Sequence, residues 1–232
     1  IDYTLEELKQ LDAGSWYHSQ FNGERLPELE EVLDLVSGKA KINIEIKSNA
    51  YEPNHPKDAI ERQILELVKR KKAWSWVLIS SFDANILKQI SLMENSPAIA
   101  LISKTPANSQ TVKLCTRLKV FSWHPNHKIV SRKQVNMMHA AGIKVFPYNV
   151  DRFEDYVKMI NMKVDGIITS DPYSAIGWST AHRRACAPAP RSAHRSTAER
   201  DQAFSFLTAG APAGPPWCTR CPSVSARGCR GL

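Results

Sequence analysis

One rhythm limits this chain more than anything else: short β-prone runs alternate with helical stripes at a nearly fixed interval. The runs are Lys41–Lys47, Val77–Phe82, Ala98–Ser103, Val120–His124, Lys144–Val150 and Gly166–Ser170, and they begin 36, 21, 22, 24 and 22 residues apart. Between them, Leu29, Val32, Leu33 and Val36 follow the i, i+3, i+4, i+7 spacing of an amphipathic helix behind Pro27, placed for a first helical turn. Ile60, Ile64, Leu67 and Val68 form a second stripe, and Phe153, Tyr156, Val157 and Ile160 another. Asp83 is placed to cap a helix through Ile86, Leu87 and Ile90. Thr4-x-x-Glu7 and Ser131-x-x-Gln134 read as capping boxes, and Gly142 as a C-terminal stop. Strands and helices in alternation predict parallel βαβ units, in either a (β/α)8 barrel or a doubly wound sheet.

Two features weigh toward the barrel. No G-x-G-x-x-G loop follows any predicted strand, which removes the simplest dinucleotide-binding reading of a doubly wound sheet. In Lys41–Lys47, Ile42, Ile44 and Ile46 share one face, while Lys41, Asn43, Glu45 and Lys47 share the other. In a barrel the apolar face meets the helical ring and the polar face enters the barrel, toward its mouth. Six strands are two short of eight, and the chain opens directly on a helix cap. The expectation is therefore an α/β TIM-type barrel that is incomplete, its first βα units missing.

Residues 177–232 differ in kind from residues 1–176. They hold 11 Ala, 6 Pro, 8 Arg and no Lys, and they are expected to form a disordered tail foreign to the fold. The formal net charge is +8, but eight of the 31 basic and two of the 23 acidic residues lie beyond 176, which leaves the body at +2. A nearly neutral body gives no footprint for nucleic acid. No run reaches the roughly 18 apolar residues of a membrane span. Cys115 is the one body cysteine, which fits a reducing, cytoplasmic compartment. Cys218-x-x-Cys221, with Cys186, Cys229, His182 and His194 nearby, lacks a second pair at zinc-finger spacing and is read as chance.

Several stretches carry a family likeness. Thr4–Asp12, Leu26–Leu33 and the string I-N-I-E-I-K at Ile42–Lys47 resemble the glycerophosphodiester phosphodiesterase family. So do Ile79–Asp83, His139–Gly142, Val145–Asp151 and the closing V-D-G-I-I-T-S-D-P of Val164–Pro172. The likeness runs in order through residues 1–176. It implies a TIM barrel that hydrolyses glycerophosphodiesters to sn-glycerol 3-phosphate and an alcohol, a reaction of lipid metabolism. It also implies a divalent cation, Mg²⁺ or Ca²⁺, held by carboxylates, with two histidines as acid and base.

Carried over residue by residue, the likeness makes Glu45 a metal carboxylate and Lys47 the lysine that contacts the phosphate. Tyr148 stands where the family often has tryptophan near the substrate, and Asp151 where it often has Asn. The family's His-Arg-Gly, Glu-x-Asp and His-Asp motifs belong ahead of the position matching Ile1. The expected function is accordingly a small-molecule phosphodiesterase that is inactive as this fragment; the alternative is a non-catalytic remnant or binding module of the same barrel. His124 and His127 are read as solvated or hydrogen-bonded loop residues after a strand, and His139 as a packing or capping residue. Lys69–Lys72 is read as a helix end, and Trp74 and Trp76 as helix-to-strand packing.

Overall fold

Ile42, Ile44 and Ile46 are all buried, and Glu45 between them is not. That alternation is the pleat of β1 (Ile42–Glu45), and it sets the pattern for the sheet. The chain is described by a computed structural model over residues 3–54 and 56–186. β2 (Val77–Ser81), β3 (Ala98–Ser103), β4 (Ser122–Pro125) and β5 (Lys144–Val145) follow in chain order. The sheet order is β1-β2-β3-β4-β5, and every neighbouring pair is parallel. A doubly wound sheet reverses its order at a switch point. This one advances in a single direction, which is the winding of a barrel.

Two predicted strands are shorter than expected. Lys144–Val150 is a regular strand only at Lys144–Val145, although the Phe146 and Tyr148 amides still donate to Trp123 O and Pro125 O at 3.0 and 2.8 Å. Tyr148 bridges Asn126 on one side and Ile168 on the other. The predicted sixth strand, Gly166–Ser170, is thus reduced to its contact at Ile168, with Ile168 N–H donating to Pro147 O at 2.8 Å.

Helices pack on one face of the sheet. α1 (Leu5–Leu8) starts at the Thr4/Glu7 capping box, and α2 (Leu29–Val36) is capped by Glu28, which leaves Pro27 one residue ahead of the cap. α3 (Ile60–Arg70) and α4 (Ala84–Ser91) come next, the latter with Asp83 accepting from Asn85 N–H. α5 (Ser109–Arg117) is closed by an Asn108/Thr111 box that the stripes did not reveal. α6 (Arg132–Ala140) uses the Ser131/Gln134 box, and Gly142 follows it at φ +73°, where a side chain would be strained. α7 (Phe153–Asn161) and α8 (Pro172–Cys186) complete the order. The expected boundary at 176 falls inside α8. Trp178 packs on Phe153 and Tyr156 with ring centroids 6.0 and 5.7 Å away, so the fold continues past residue 177 because an aromatic anchor holds it there. The rest of the expected tail, with Cys218, Cys221, Cys229 and His194, lies outside the described residues.

The main core lies between sheet and helices, with Leu33, Ile79, Ile86, Trp123, Met138 and Val145 among its members. A second, smaller cluster of Leu78, Ala100 and Phe146, with Ile168 against it, occupies the opposite face of the sheet. This is the barrel lumen. The run Lys69–Lys72 ends α3 as expected, and its cations pair across to α2: Arg70 with Glu30, and Lys71 with Glu30 and Asp34. Trp74 and Trp76 pack against the core, as read from sequence.

Two local devices fix the rest. Asp12 gathers Gly14 N–H, Ser15 N–H, Ser15 Oγ–H and Gly23 N–H, and these donors, the Ser15 hydroxyl first, hold its carboxyl far below the usual range. Lys9 ties this loop to Glu28 and Glu31 at the start of α2. At the N-terminal end of β5, Asp165 accepts from His139 Nε2 and Lys144 Nζ at 2.8 Å each and from Val145 N–H at 2.9 Å. His139, in the last turn of α6, is therefore tied to this carboxylate by a hydrogen bond. Burial raises the Asp165 pKa, but Lys144, the Val145 N–H and His139 together outweigh it and the net shift is downward.

Asp165→Asn should lower unfolding stability by about 1–3 kcal/mol, since a charge-assisted acceptor of three donors is lost. Because the folded carboxyl titrates lower than the unfolded one, its contribution is present above the unfolded pKa of about 3.9 and is lost as pH falls through the folded value. Urea denaturation of both proteins from pH 7 to pH 3 checks this, with the gap closing at the acid end. Gly14→Ala should unseat the Asp12 loop, because a Cβ there collides with the backbone oxygen of Phe21. Hydrogen exchange at Ser15 and Gly23 amides should rise while the core amides stay protected.

Candidate functional site at the barrel mouth

The C-terminal ends of parallel strands open on one side of the sheet, and the side chains that face the lumen converge there. On β1 that face carries Asn43 and Glu45, with Lys47 following. The Glu45 carboxylate accepts from Lys47 Nζ at 2.8 Å, with the lysine 70% exposed and the glutamate 32%. Spacing of two along an extended segment puts both groups on one side. The ammonium is thus held near the mouth without being buried.

Tyr148 is the organising residue. Its hydroxyl donates to Ser103 O at 3.2 Å, and its ring meets Phe82 edge-on with centroids 6.2 Å apart. Burial pushes its pKa up. A hydrogen bond with the Asn126 side chain works against that, and the negative charge of Glu45 adds to it. Glu45, Lys47 and Tyr148, three residues singled out from sequence, therefore share one neighbourhood. The Tyr148 main chain is clamped as well. Its carbonyl accepts from His127 N–H and from His127 Nδ1, both at 3.2 Å, and its N–H donates to Pro125 O at 2.8 Å. Asn149 follows in the left-handed region at φ 59°, a turn that asparagine tolerates.

His127 is buried, with Nε2 3.6 Å from Asp155 Oδ2. It is a hydrogen-bonded loop residue, as one of the sequence readings had it. His124 is not. It lies on β4 and faces the lumen at 1% exposure, with Nε2 2.9 Å from Ser122 Oγ and its ring 5.6 Å from Phe146. Burial pushes its pKa down to about 3, so the imidazole is neutral at ordinary pH. The expectation of a loop is corrected because strand pairing extends through Pro125. Asp151, just past the turn at Asn149, accepts from Thr169 Oγ1 at 2.9 Å and Ser170 N–H at 2.8 Å. Burial would raise its pKa, but these donors and the nearby His127 bring it below the ordinary value.

Three further residues reach the same region and were not assigned from sequence. Phe82 follows β2, Lys104 follows β3 with Nζ 5.2 Å from the Phe82 ring centre, and Asn126 follows β4. Each stands just past a strand's C-terminal end, and that position is the signal that could have found them. Among the described residues no group of three His, Cys, Asp or Glu is arranged to hold a metal ion. Glu45 offers one carboxylate, which is too few donors for a hard divalent cation by itself.

Known proteins are similar to this chain in sequence and in fold. A glycerophosphodiester phosphodiesterase of Caldanaerobacter subterraneus subsp. tengcongensis is 36% identical over 176 residues, covering 75% of this chain and 70% of that protein. One from Bacillus subtilis is 29% identical over 183 residues, covering 74% and 62%. Among solved structures, a phosphodiesterase of Oleispira antarctica in complex with sn-glycerol-3-phosphate superposes with a TM-score of 0.66 at 22% identity, over 76% of this chain and 70% of that one. A protein of Galdieria sulphuraria gives 0.67 at 22% identity, over 77% and 71%. These likenesses support the barrel fold. Residues 1–174 match the glycerophosphoryl diester phosphodiesterase family, and the chain belongs to that family.

Proposed function

We propose that this chain forms the greater part of a hydrolase for glycerophosphodiesters, releasing sn-glycerol 3-phosphate and an alcohol in lipid metabolism, and that its mouth binds the phosphodiester. The observation that carries this reading is the convergence of Glu45, Lys47 and Tyr148 at the strand ends of a barrel of this family. A phosphodiester is an anion whose charge grows as the phosphorus is attacked. The exposed Lys47 ammonium is the cation placed to meet it, and Glu45 holds that ammonium in position. Tyr148 walls the site, kept in place from three directions by Ser103, Asn126 and His127. The curated relatives are named glycerophosphodiester phosphodiesterases, which supports the substrate class.

Glu45 would supply one oxygen ligand toward a divalent cation, Mg²⁺ or Ca²⁺; among the described residues no group of three His, Cys, Asp or Glu stands ready to hold it. When bound, such a cation neutralises the phosphoryl oxygens. Among the described residues, four histidines are engaged elsewhere: His18 caps the turn at Ser19–Phe21, His124 fills the lumen, His127 clamps Tyr148 and His139 bonds Asp165. Residues 1–232 alone are therefore expected to bind the substrate class but to turn it over little. No helix among the described residues is long and apolar enough to cross a membrane. The buried Cys115, its thiol pushed up to about 11 by burial, suits a reducing, cytoplasmic setting.

Isothermal titration with sn-glycerol 3-phosphate, with and without Ca²⁺ or Mg²⁺, tests the reading. Lys47→Met should weaken binding by on the order of tenfold, the worth of one charge-assisted contact of about 1.5 kcal/mol. Glu45→Gln should abolish the dependence on the cation and leave the far-ultraviolet circular dichroism unchanged. Equal affinity in all three proteins would refute the assignment. Rapid metal-dependent release of glycerol phosphate by residues 1–232 would refute the low-turnover expectation alone.

A further inference from the structure

Beside the mouth, beyond Phe82, a groove runs between the end of β3 and the first turn of α5. Its lining includes Ser48, Phe82, Lys104, Thr105, Asn108 and Gln110. The groove joins the site through Phe82, which forms one wall and is in ring contact with Tyr148. An aromatic face at the edge of a phosphodiester site is a ready slot for a quaternary ammonium. Here that slot already holds a cation of the protein itself, Lys104 Nζ, 5.2 Å from the ring centre. Among the described residues no carboxylate pairs with Lys104, and none lines the groove. The remaining polar walls are of hydroxyl and amide type: Ser48, Thr105 and Gln110 carry groups that can donate to or accept from an alcohol.

We infer that this groove takes the half of the diester beyond the phosphate, and that Lys104 over Phe82 selects a polyhydroxy alcohol there against a quaternary ammonium one. The inference rests on the phosphodiesterase reading of the mouth and adds its headgroup class. Three physical steps support it. A second cation must displace the Lys104 ammonium to reach the ring, and it then faces that ammonium at short range with no carboxylate of the groove beside it. An uncharged polyol leaves the Lys104–Phe82 contact intact and gains hydrogen bonds from Lys104 and the hydroxyl walls. The other groove walls carry no acidic side chain that would favour a quaternary ammonium, so the hydroxyl-bearing headgroup keeps the advantage.

The test uses the 232-residue chain and three ligands titrated calorimetrically: glycerophosphoglycerol, glycerophosphocholine and sn-glycerol 3-phosphate, the last having no second half. The unmodified chain should bind glycerophosphoglycerol more tightly than glycerophosphocholine by on the order of fivefold, the scale of one cation–π contact. Lys104→Met keeps the aliphatic stem on the ring and removes the charge; it should bring the ratio near one and leave sn-glycerol 3-phosphate binding unaltered. Lys104→Arg should restore the preference. A ratio unchanged in Lys104→Met, or a preference for glycerophosphocholine in the unmodified chain, overturns the inference and leaves the mouth assignment standing. A parallel loss of sn-glycerol 3-phosphate binding in Lys104→Met would make the lysine a ligand of the shared half and also overturn it. No binding of any of the three would overturn the phosphodiester reading, and the headgroup inference with it.

Discussion

The parallel ladder is the constraint on which everything else in this protein depends. Once β1 through β5 pair in chain order and in one direction, the pleat fixes where each side chain goes. Ile42, Ile44, Val77, Ile79 and Trp123 must face the helices; Asn43, Glu45, Ser80 and His124 must face the lumen. A slip of one residue in any strand would send isoleucines into the polar mouth and glutamate into the core. The burial of Ile44 and Ile46 thus holds Glu45 and Lys47 in place from the far side of the strand.

The mouth is built around one aromatic residue rather than around its charges. Tyr148 lies just past β5, its N–H still donating to Pro125 O and its backbone bridging Asn126 and Ile168. Beyond it the chain turns at Asn149 and brings Asp151 to Ser170. His127 restores rigidity with two donors onto a single carbonyl. The ring then becomes a fixed surface shared by two regions, with Glu45 and Asn126 beside its hydroxyl and Phe82 on its edge. The position of Lys104 follows from Phe82, so the charge pattern of the groove is also set by the Tyr148 clamp.

Much of the fold was legible from residues alone. The helices after Thr4, Asp83 and Ser131 begin at the caps their side chains imply, because a cap is a local hydrogen bond that requires no distant partner. β1 was legible because its alternation is complete. Strands with less pattern were misjudged in extent. Gly166–Ser170 has apolar residues enough for a strand, yet it meets its neighbour at Ile168 alone. The composition break at 177 was a real change in residue usage but not the end of helix α8, since Trp178 still finds the aromatic pair Phe153 and Tyr156.

The sequence by itself determined the alternation of strand and helix, the caps, the family motifs, and the presence of Glu45 and Lys47 on a polar strand face. Those properties depend on neighbours within a few positions, so one-dimensional reading reaches them. Only the tertiary structure decided that the sheet advances without reversal, that His124 is a neutral lumen residue, and that Lys104 covers the ring of Phe82. Each of these rests on which strand lies beside which, and on the desolvation that follows. Residues 21 or more positions apart, such as His127 and Tyr148, share hydrogen bonds only after parallel crossovers have brought their strands together. No local pattern in the chain encodes that proximity.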